Sequence, residues 1–403
     1  MHNDSNPSHP GPLSDLVVID LTRALAGPHA AMMLGDLGAR VIKVEAPGSG
    51  DETRGWGPPF VDGVSTYFLS CNRNKESVAL DLKSDDGRQV LRELIARADV
   101  VCENFRTGVM DRLGLGTTEL LELNPRLVIL SITGFGHDGP EGGRAGYDQI
   151  LQGEAGLMSL TGPGPEEPTR VGVPIADLLA GMYGAFGVLA ALHERERTGH
   201  GQVVRTSLLA SVVGVHAFQG TRQTVAGQTG RAQGNSHPSI TPYGLFHCRG
   251  GSVQIAAAND SLWRKLCAAF GLDPQTPGMV TNAERVGNRQ QVTALLEQTF
   301  ADLSPDEVLD QLATAGVPAG RVRDLAEVYN WEQTASQGLL IDVDHDQLGG
   351  IRLPGPPLRF FSVDSSGAER EVTRTRHAAP PVLDADADAL RRWVAGESVA
   401  GDD

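Results

Sequence analysis

Three segments near the start of the chain restrict the fold more than anything else in it. LVVID, Leu16 to Asp20, is an apolar run without polar alternation, the mark of a strand covered on both faces. AGPHAAMMLGDLG follows as a helix, with Pro28 in its first turn and Gly38 just past its end. RVIKVE is then a second apolar strand. Strand, helix and strand in that order make a βαβ unit, which predicts a parallel sheet with a right-handed crossover.

The pattern continues. SDDGRQVLRELIARAD has apolar residues at helical spacing and Ser84 as N-cap, VVCENF reads as a strand, Thr117 to Leu123 as a short helix, and RLVILSITGFG as another strand. The first 140 residues therefore read as an open α/β sheet. IADLLAGMYGAFGVLAALHE, Ile175 to Glu194, has about 15 uncharged residues after Asp177. A membrane span needs about 20, so this segment is read as a buried helix.

The turn-rich stretch GQTGRAQGNSHPSITPYG marks entry into a second lobe. Its core is expected to include LFHCRGGSVQIAAA, two strands about a Gly-Gly turn, with helices around Trp263 to Phe270 and Val292 to Phe300. At 403 residues the chain has room for two or three lobes. The expected division is a disordered tail over 1–12, a large lobe over 13–215, a small lobe over 216–330, and a further segment over 331–403. The fold class is α/β, a large Rossmann-like lobe with a parallel sheet plus a smaller α/β lobe.

Charge and motifs exclude several functions. A formal net charge of −16 disfavours nucleic acids and anionic membranes as partners, because both need basic patches. Cys71, Cys102, Cys248 and Cys267 form no C-x-x-C pair, no His has metal-ligand spacing, and the cysteines read as reduced core thiols. No metal site is expected. MHNDSNPSHPGP lacks a charged segment followed by an apolar one, so the expected location is cytoplasmic. Glu45 closes the second strand where an acid often holds a ribose, but the first turn reads LTRALAGPHA and lacks the G-x-G-x-x-G fingerprint of dinucleotide binding. The phosphate-binding G-x-x-x-x-G-K-[ST] loop, the H-E-x-x-H pair and the G-x-S-x-G elbow do not occur.

What remains is a series of motifs in order: LTRALAGPHAAMMLGDLGARVIKVE, GSGDETRGWG, NRNKESVALDLK, ADVVCENFRTGVMDRLGLG, NPRLVILSITGFGHDGP, GYDQILQGEAGLMSLTG and VGVPIADLLAGMYGAFGVLAAL. Together, over about residues 15–365, they resemble the class III CoA-transferase family, which includes formyl-CoA transferase and carnitine CoA-transferase. NSHPSITPYGLF, TNAERVGNR, AGVPAGRV and VDHDQLGGIRLPGPPLRF look like its branch acting on small dicarboxylic acids such as succinate. RHAAPPVLDADADALRRWVAG departs from the family's usual L-G-x-H-T ending.

The resemblance implies a Rossmann-like lobe that binds coenzyme A (CoA), a return of 331–403 to that large lobe, and a homodimer of two interlocked, ring-like chains. It implies transfer of CoA from an acyl-CoA donor to a free carboxylic acid acceptor, with CoA as substrate and no permanently bound cofactor. The family nucleophile falls on Asp177. Contacts to CoA fall on Leu25, Ala26, Leu80, Lys83, Asn104, Phe105, Arg106 and Arg112, and on Ala145, Tyr147 and Asp148. Lys83, Arg106 and Arg112 suit phosphate. His237 and Ser239 fall on the segment that covers the substrate and are candidates for holding a carboxylate.

Other readings are open at this point. Asp177 alone would serve as a helix N-cap. An α-methylacyl-CoA racemase on the same fold needs a His where this chain has Tyr147, a poor base at neutral pH. A CoA-binding protein without activity would have no use for an intact Asp177. Leu25 replaces the Gln of formyl-CoA transferase, which disfavours formyl or oxalyl substrates.

Overall fold

The computed structural model describes residues 9–396. They divide into two compact units, 9–157 with 171–226 and 333–396, and 158–170 with 227–332. In the first unit β1 (Val17–Asp20), β2 (Arg40–Glu45), β3 (Lys75–Ala79), β4 (Val100–Glu103), β5 (Val128–Thr133) and β6 (Val203–Ser207) form one sheet in the order β3-β2-β1-β4-β5-β6. Every pairing is parallel. The chain winds outward from β1 to one edge, returns to the centre, and winds to the other edge. The loops after β1 and β4 therefore turn to opposite faces and leave a crevice between them, the usual ligand position in such sheets.

Helices cover both faces. α1 (Ala26–Asp36), α4 (Asp148–Glu154) and α5 (Ile175–Thr198) bury one side of the sheet, while α2 (Asp85–Ala96) and α3 (Thr117–Leu123) bury the other. Ser84 Oγ accepts the N–H of Gly87 at 3.0 Å and caps α2 as the sequence predicts. α1 and α5 cross closely because small residues face each other, among them Ala26, Ala30, Ala180 and Gly181. A Cβ on Gly181 would stand 2.7 Å from the Ala26 carbonyl oxygen, so the crossing excludes a side chain there.

α5 is long and apolar enough, by length and composition, to cross a membrane. The expectation of a buried helix is corrected to a partly buried one. Its small residues pack inward, but Tyr183 and Phe186 are exposed, Phe186 at 71%. Beyond it α6 (Ala217–Ala226) exposes Phe218 and Val225.

The second unit is a three-stranded antiparallel sheet around the hairpin Tyr243–Cys248 and Gly251–Ala256, with Ala319–Gly320 on its edge. α7 (Asp260–Phe270) and α8 (Arg289–Phe300) supply Trp263, Leu266, Val292, Leu296 and Phe300 to its core.

Two boundaries differ from the sequence reading. Residues 216–226 belong to the first unit, where the His216 ring bonds the Ala155 carbonyl at 2.8 Å. Residues 158–170 belong to the second, tied by Ala232 N–H to Ser159 O and Gly234 N–H to Gly162 O, each at 2.9 Å. The expected disorder over 1–12 is corrected for its last residues. Residues 1–8 lie outside the described residues, but Gly11 is buried with φ 100° against Leu37, and the N–H of Leu13 donates to Leu37 O at 2.9 Å. The return over 333–396 ends in α9 (Ala387–Ala395), whose Leu390 and Val394 complete the core beside α2 and α3. The departure from the family ending therefore leaves the last helix in place. Cys71, Cys102 and Cys267 are buried free thiols, and Cys248 is a half-buried one.

Candidate active site

Beneath the carboxyl ends of β1 and β2 lies a buried cluster of three acids and three cations. Lys75 Nζ donates to Asp20 Oδ2, the Pro28 carbonyl and Asn72 Oδ1, each at 2.9 Å. Lys43 Nζ donates to the Thr22 carbonyl at 2.9 Å and faces Asp51 Oδ2 at 2.9 Å. Glu45 accepts two bonds from Arg54 and one from Ser77 Oγ. Burial pulls Lys43 down, but Asp20, Asp51 and Glu45 outweigh it and push it up to about 12. Burial likewise works against the Asp20 carboxylate, and Lys75 and Lys43 hold it below its ordinary range. Glu45 is thus occupied by protein donors.

This cluster sets the loop after β1. Ala24 has φ 66°, a left-handed conformation uncommon for a residue with a Cβ. Across the crevice Asn104 clamps the same loop, accepting the N–H of Arg23 at 2.9 Å and donating to the Arg23 carbonyl at 2.7 Å. The Arg23 guanidinium lies over the Phe105 ring at 5.3 Å. A third loop closes in because Gly134 and Gly146 permit backbone contact: a Cβ on Gly134 would stand 2.9 Å from Gly146 N. These loops enclose a cleft of about 210 Å³ whose lining includes Arg23, Arg106, Arg144 and Asp177.

Asp177 is the third residue of α5, half-buried at the edge of this cleft. The capping alternative does not describe it. Pro174 occupies the N-cap, and Asp177 makes no capping bond. The helix is capped from outside instead, by Asp148 Oδ1, which accepts the N–H of Ala176 at 2.8 Å, while Asp148 Oδ2 accepts Gln152 Nε2 at 2.7 Å. Burial, and after it the negative charge of Asp148, push the Asp177 carboxyl up to about 7. Its place in the first turn opposes that rise, since helix N-termini favour anions.

Of the residues singled out from the sequence, Leu25, Ala26, Asn104, Phe105, Arg106, Ala145, Tyr147 and Asp177 line one cleft. Leu25 is 4% exposed and packs on Met32, Cys71, Tyr67 and Leu178. Tyr147 is 60% exposed. Leu80, Lys83, Arg112 and Asp148 do not line the cleft. Leu80 is buried at the end of β3, Lys83 is exposed in the next turn, and Arg112 ends a short helix following the Asn104–Arg106 loop. His237 and Ser239 lie in the second unit, where His237 Nδ1 accepts the N–H of Ser239 at 3.1 Å. Burial, then Arg289, lowers the His237 pKa.

Sequence reasoning missed Arg23, Glu52 and Arg144 in the cleft, and Tyr67, which packs against the cluster that contains Leu25. Burial first, then the charge of Asp177, raises the Tyr67 phenol above its ordinary range. Arg23 lies in LTRALAG and Arg144 directly precedes Ala145, so both were legible in the sequence; Tyr67 reaches the site only through tertiary contacts. Among the described residues no group of three or more His, Cys, Asp or Glu stands together as a metal site.

Residues 13–386 match the family described as CoA-transferase family III. The chain belongs to that family. It is 37% identical to succinyl-CoA:glutarate CoA-transferase of Mus musculus over 95% of this chain and 89% of that one. It is 38% identical to acetyl-CoA:oxalate CoA-transferase of Acetobacter aceti over 97% and 98% of the two chains. A crystal structure of a CaiB/BaiF family protein from Brucella suis superposes with a TM-score of 0.81 at 39% identity, covering 95% of this chain and 99% of that one. This chain is thus a class III CoA-transferase.

The raised Asp177 pKa has a consequence for the stability of this CoA-transferase that does not depend on catalysis. Between its ordinary value of 3.8 and about 7 the native state retains a proton that the unfolded chain has released. Native stability from this group therefore falls as pH rises through that window, and the full penalty is present above it. Asp177→Asn should raise the melting temperature at pH 8 and leave it unchanged near pH 3.5, as measured by scanning calorimetry. An equal shift at both pH values would contradict the raised pKa.

Proposed function

We propose that this enzyme moves CoA from succinyl-CoA to a small dicarboxylic acid through a covalent CoA thioester on Asp177. The observation that carries this reading is a half-buried carboxylate at the first turn of α5, open to the crevice and relieved of capping by Asp148. Ionised Asp177 attacks the thioester carbonyl, giving a mixed anhydride and CoA thiolate. The thiolate attacks the aspartyl carbonyl, and the donor acid leaves as its carboxylate. An acceptor carboxylate then attacks the aspartyl thioester, expelling the thiolate and forming a second anhydride. Return of the thiolate to the acceptor carbonyl yields the new acyl-CoA and restores Asp177. One thioester replaces another, so no ATP is consumed. Water is the competitor, which suits a nucleophile set in a narrow cleft.

The nucleotide of CoA needs cations, and Lys83, Arg106 and Arg112 are the proposed phosphate partners. Leu25, Ala26, Asn104, Phe105, Ala145 and Tyr147 would flank the pantetheine arm. A racemase reading lacks its base, since Tyr147 stands in place of the required His. The dicarboxylate assignment is supported by the mouse relative, whose name pairs succinyl-CoA with glutarate. The Acetobacter relative favours a second acceptor, oxalate. Leu25 argues for the longer acids, because an apolar side chain offers oxalate no hydrogen bond. His237 and Ser239 are proposed only as candidate contacts to a substrate carboxylate.

We also propose a homodimer, which is supported by the exposed apolar face of Tyr183, Phe186, Phe218 and Val225. Phe186→Asp is expected to shift the species seen by light scattering from dimer to monomer. A wild-type monomer would refute the dimer.

Asp177→Ala is expected to lower turnover by at least about 10³-fold, because a covalent nucleophile supplies several kcal/mol of barrier reduction. Hydroxylamine added with acyl-CoA should modify Asp177 in the wild type. Retention of more than about a tenth of the activity would remove Asp177 from the chemistry.

Incubation with succinyl-CoA and a mixture of oxalate, glutarate, mesaconate, acetate and butyrate, followed by mass spectrometry of new thioesters, tests the acceptor class. Glutaryl- or mesaconyl-CoA is the expected product. Oxalyl-CoA alone would favour the second acceptor, and products from monocarboxylates alone would refute the dicarboxylate reading.

A further inference from the structure

β3 is the edge strand of the large sheet, so its outward N–H groups need acceptors from elsewhere. Two carboxylates from the far end of the chain supply them. Asp386 Oδ2 accepts the N–H of Ser77 at 2.8 Å, and Asp384 Oδ1 accepts the N–H of Ala79 at 2.7 Å. The spacing accounts for the fit: outward N–H groups recur at every second strand residue, and the acids stand two apart in Asp384-Ala385-Asp386.

Asp384 makes a second bond, from its own N–H to Ser77 Oγ at 3.0 Å, and Ser77 Oγ donates on to Glu45 Oε1 at 2.7 Å. Glu45 holds Arg54, next in sequence but one to the cleft residue Glu52. Asp384 has φ 64°, a conformation that Asp and Asn tolerate better than most residues. Just past Ala79 the chain enters a turn. Leu80 N–H donates to Glu45 O at 2.9 Å, and Asp81 Oδ1 accepts the N–H of Lys83 at 3.0 Å.

We propose that Asp384 is a positioning residue for the CoA nucleotide, holding the end of β3 and with it the turn that carries Leu80 and Lys83. This rests on the reading above that the turn meets the nucleotide. Asp384 touches neither substrate nor Asp177; it fixes where the turn begins. Its loss weakens binding of the nucleotide and leaves the thioester chemistry intact.

Three variants separate the parts of this role. Asp384→Gly keeps the left-handed backbone and deletes the acceptor, Asp384→Asn keeps both, and Lys83→Ala tests the turn itself. Each is assayed with an acyl-CoA and with the matching acyl-pantetheine, which lacks the nucleotide. Asp384→Gly is expected to raise KM for the acyl-CoA by about threefold to tenfold, the worth of one hydrogen bond. Its kcat and its KM for acyl-pantetheine should stay within about twofold of wild type, and Asp384→Asn should restore KM.

Equal changes for both thioesters, or a lower melting temperature with KM unchanged, would make the contact merely structural and overturn the proposal. If Lys83→Ala raises KM for the acyl-CoA and Asp384→Gly does not, the clamp fails while the nucleotide reading of the turn stands. If neither variant affects that KM, the nucleotide reading fails and the clamp with it.

Discussion

The rest of the large unit depends on the buried charge cluster of Asp20, Lys43, Glu45, Asp51, Arg54 and Lys75. Removing one member of a buried pair typically costs about 3–5 kcal/mol, because the partner is left charged and unpaired. The cluster is thus a constraint more than a source of stability. It ties the carboxyl ends of β1 and β2 and the first residue of β3 to the loops over 21–25 and 50–55, which cannot move without exposing a charge to an apolar interior. The left-handed turn at Ala24 is held between this cluster below and the Asn104 amide above.

The second constraint is the close crossing of α1 and α5. Alanines and Gly181 bring the two helices together, so the start of α5 lies beside the start of α1 at the crevice. The start of a helix must satisfy its free N–H groups. Asp148, from another helix, meets that of Ala176 and frees Asp177 from structural duty. The same arrangement puts two carboxylates near each other, and their repulsion, added to burial, raises the Asp177 pKa. Capping of α5 and part of the rise in the Asp177 pKa therefore come from one residue, Asp148.

The net charge of −16 makes the location of cations informative. Arg23, Arg106 and Arg144 all face the cleft, whose floor is the switch point of the sheet. An anionic ligand meets repulsion over much of the surface and attraction at that opening. Arg144 is itself paired with Glu154 and, at 3.4 Å, with Glu141. For Arg23 and Arg106 no carboxylate partner is found among the described residues.

The sequence by itself determined the parallel α/β sheet, because βαβ periodicity and apolar strands are local properties that any covered parallel sheet requires. It also determined the nucleophile candidate and most of the cleft, since the loops after β1, β4 and β5 lie in continuous motifs. Tertiary structure alone decided which acid caps α5, because Asp177 is the local candidate while Asp148, distant in sequence from Ala176, reaches it only through packing. It also decided that one face of α5 stays exposed, because hydropathy reports apolarity and not what covers it. The pairing of Asp384 and Asp386 with β3 was illegible for the same reason. About 300 residues separate those partners, and no local pattern records which edge a chain end will return to, because that choice is made by packing of the whole sheet.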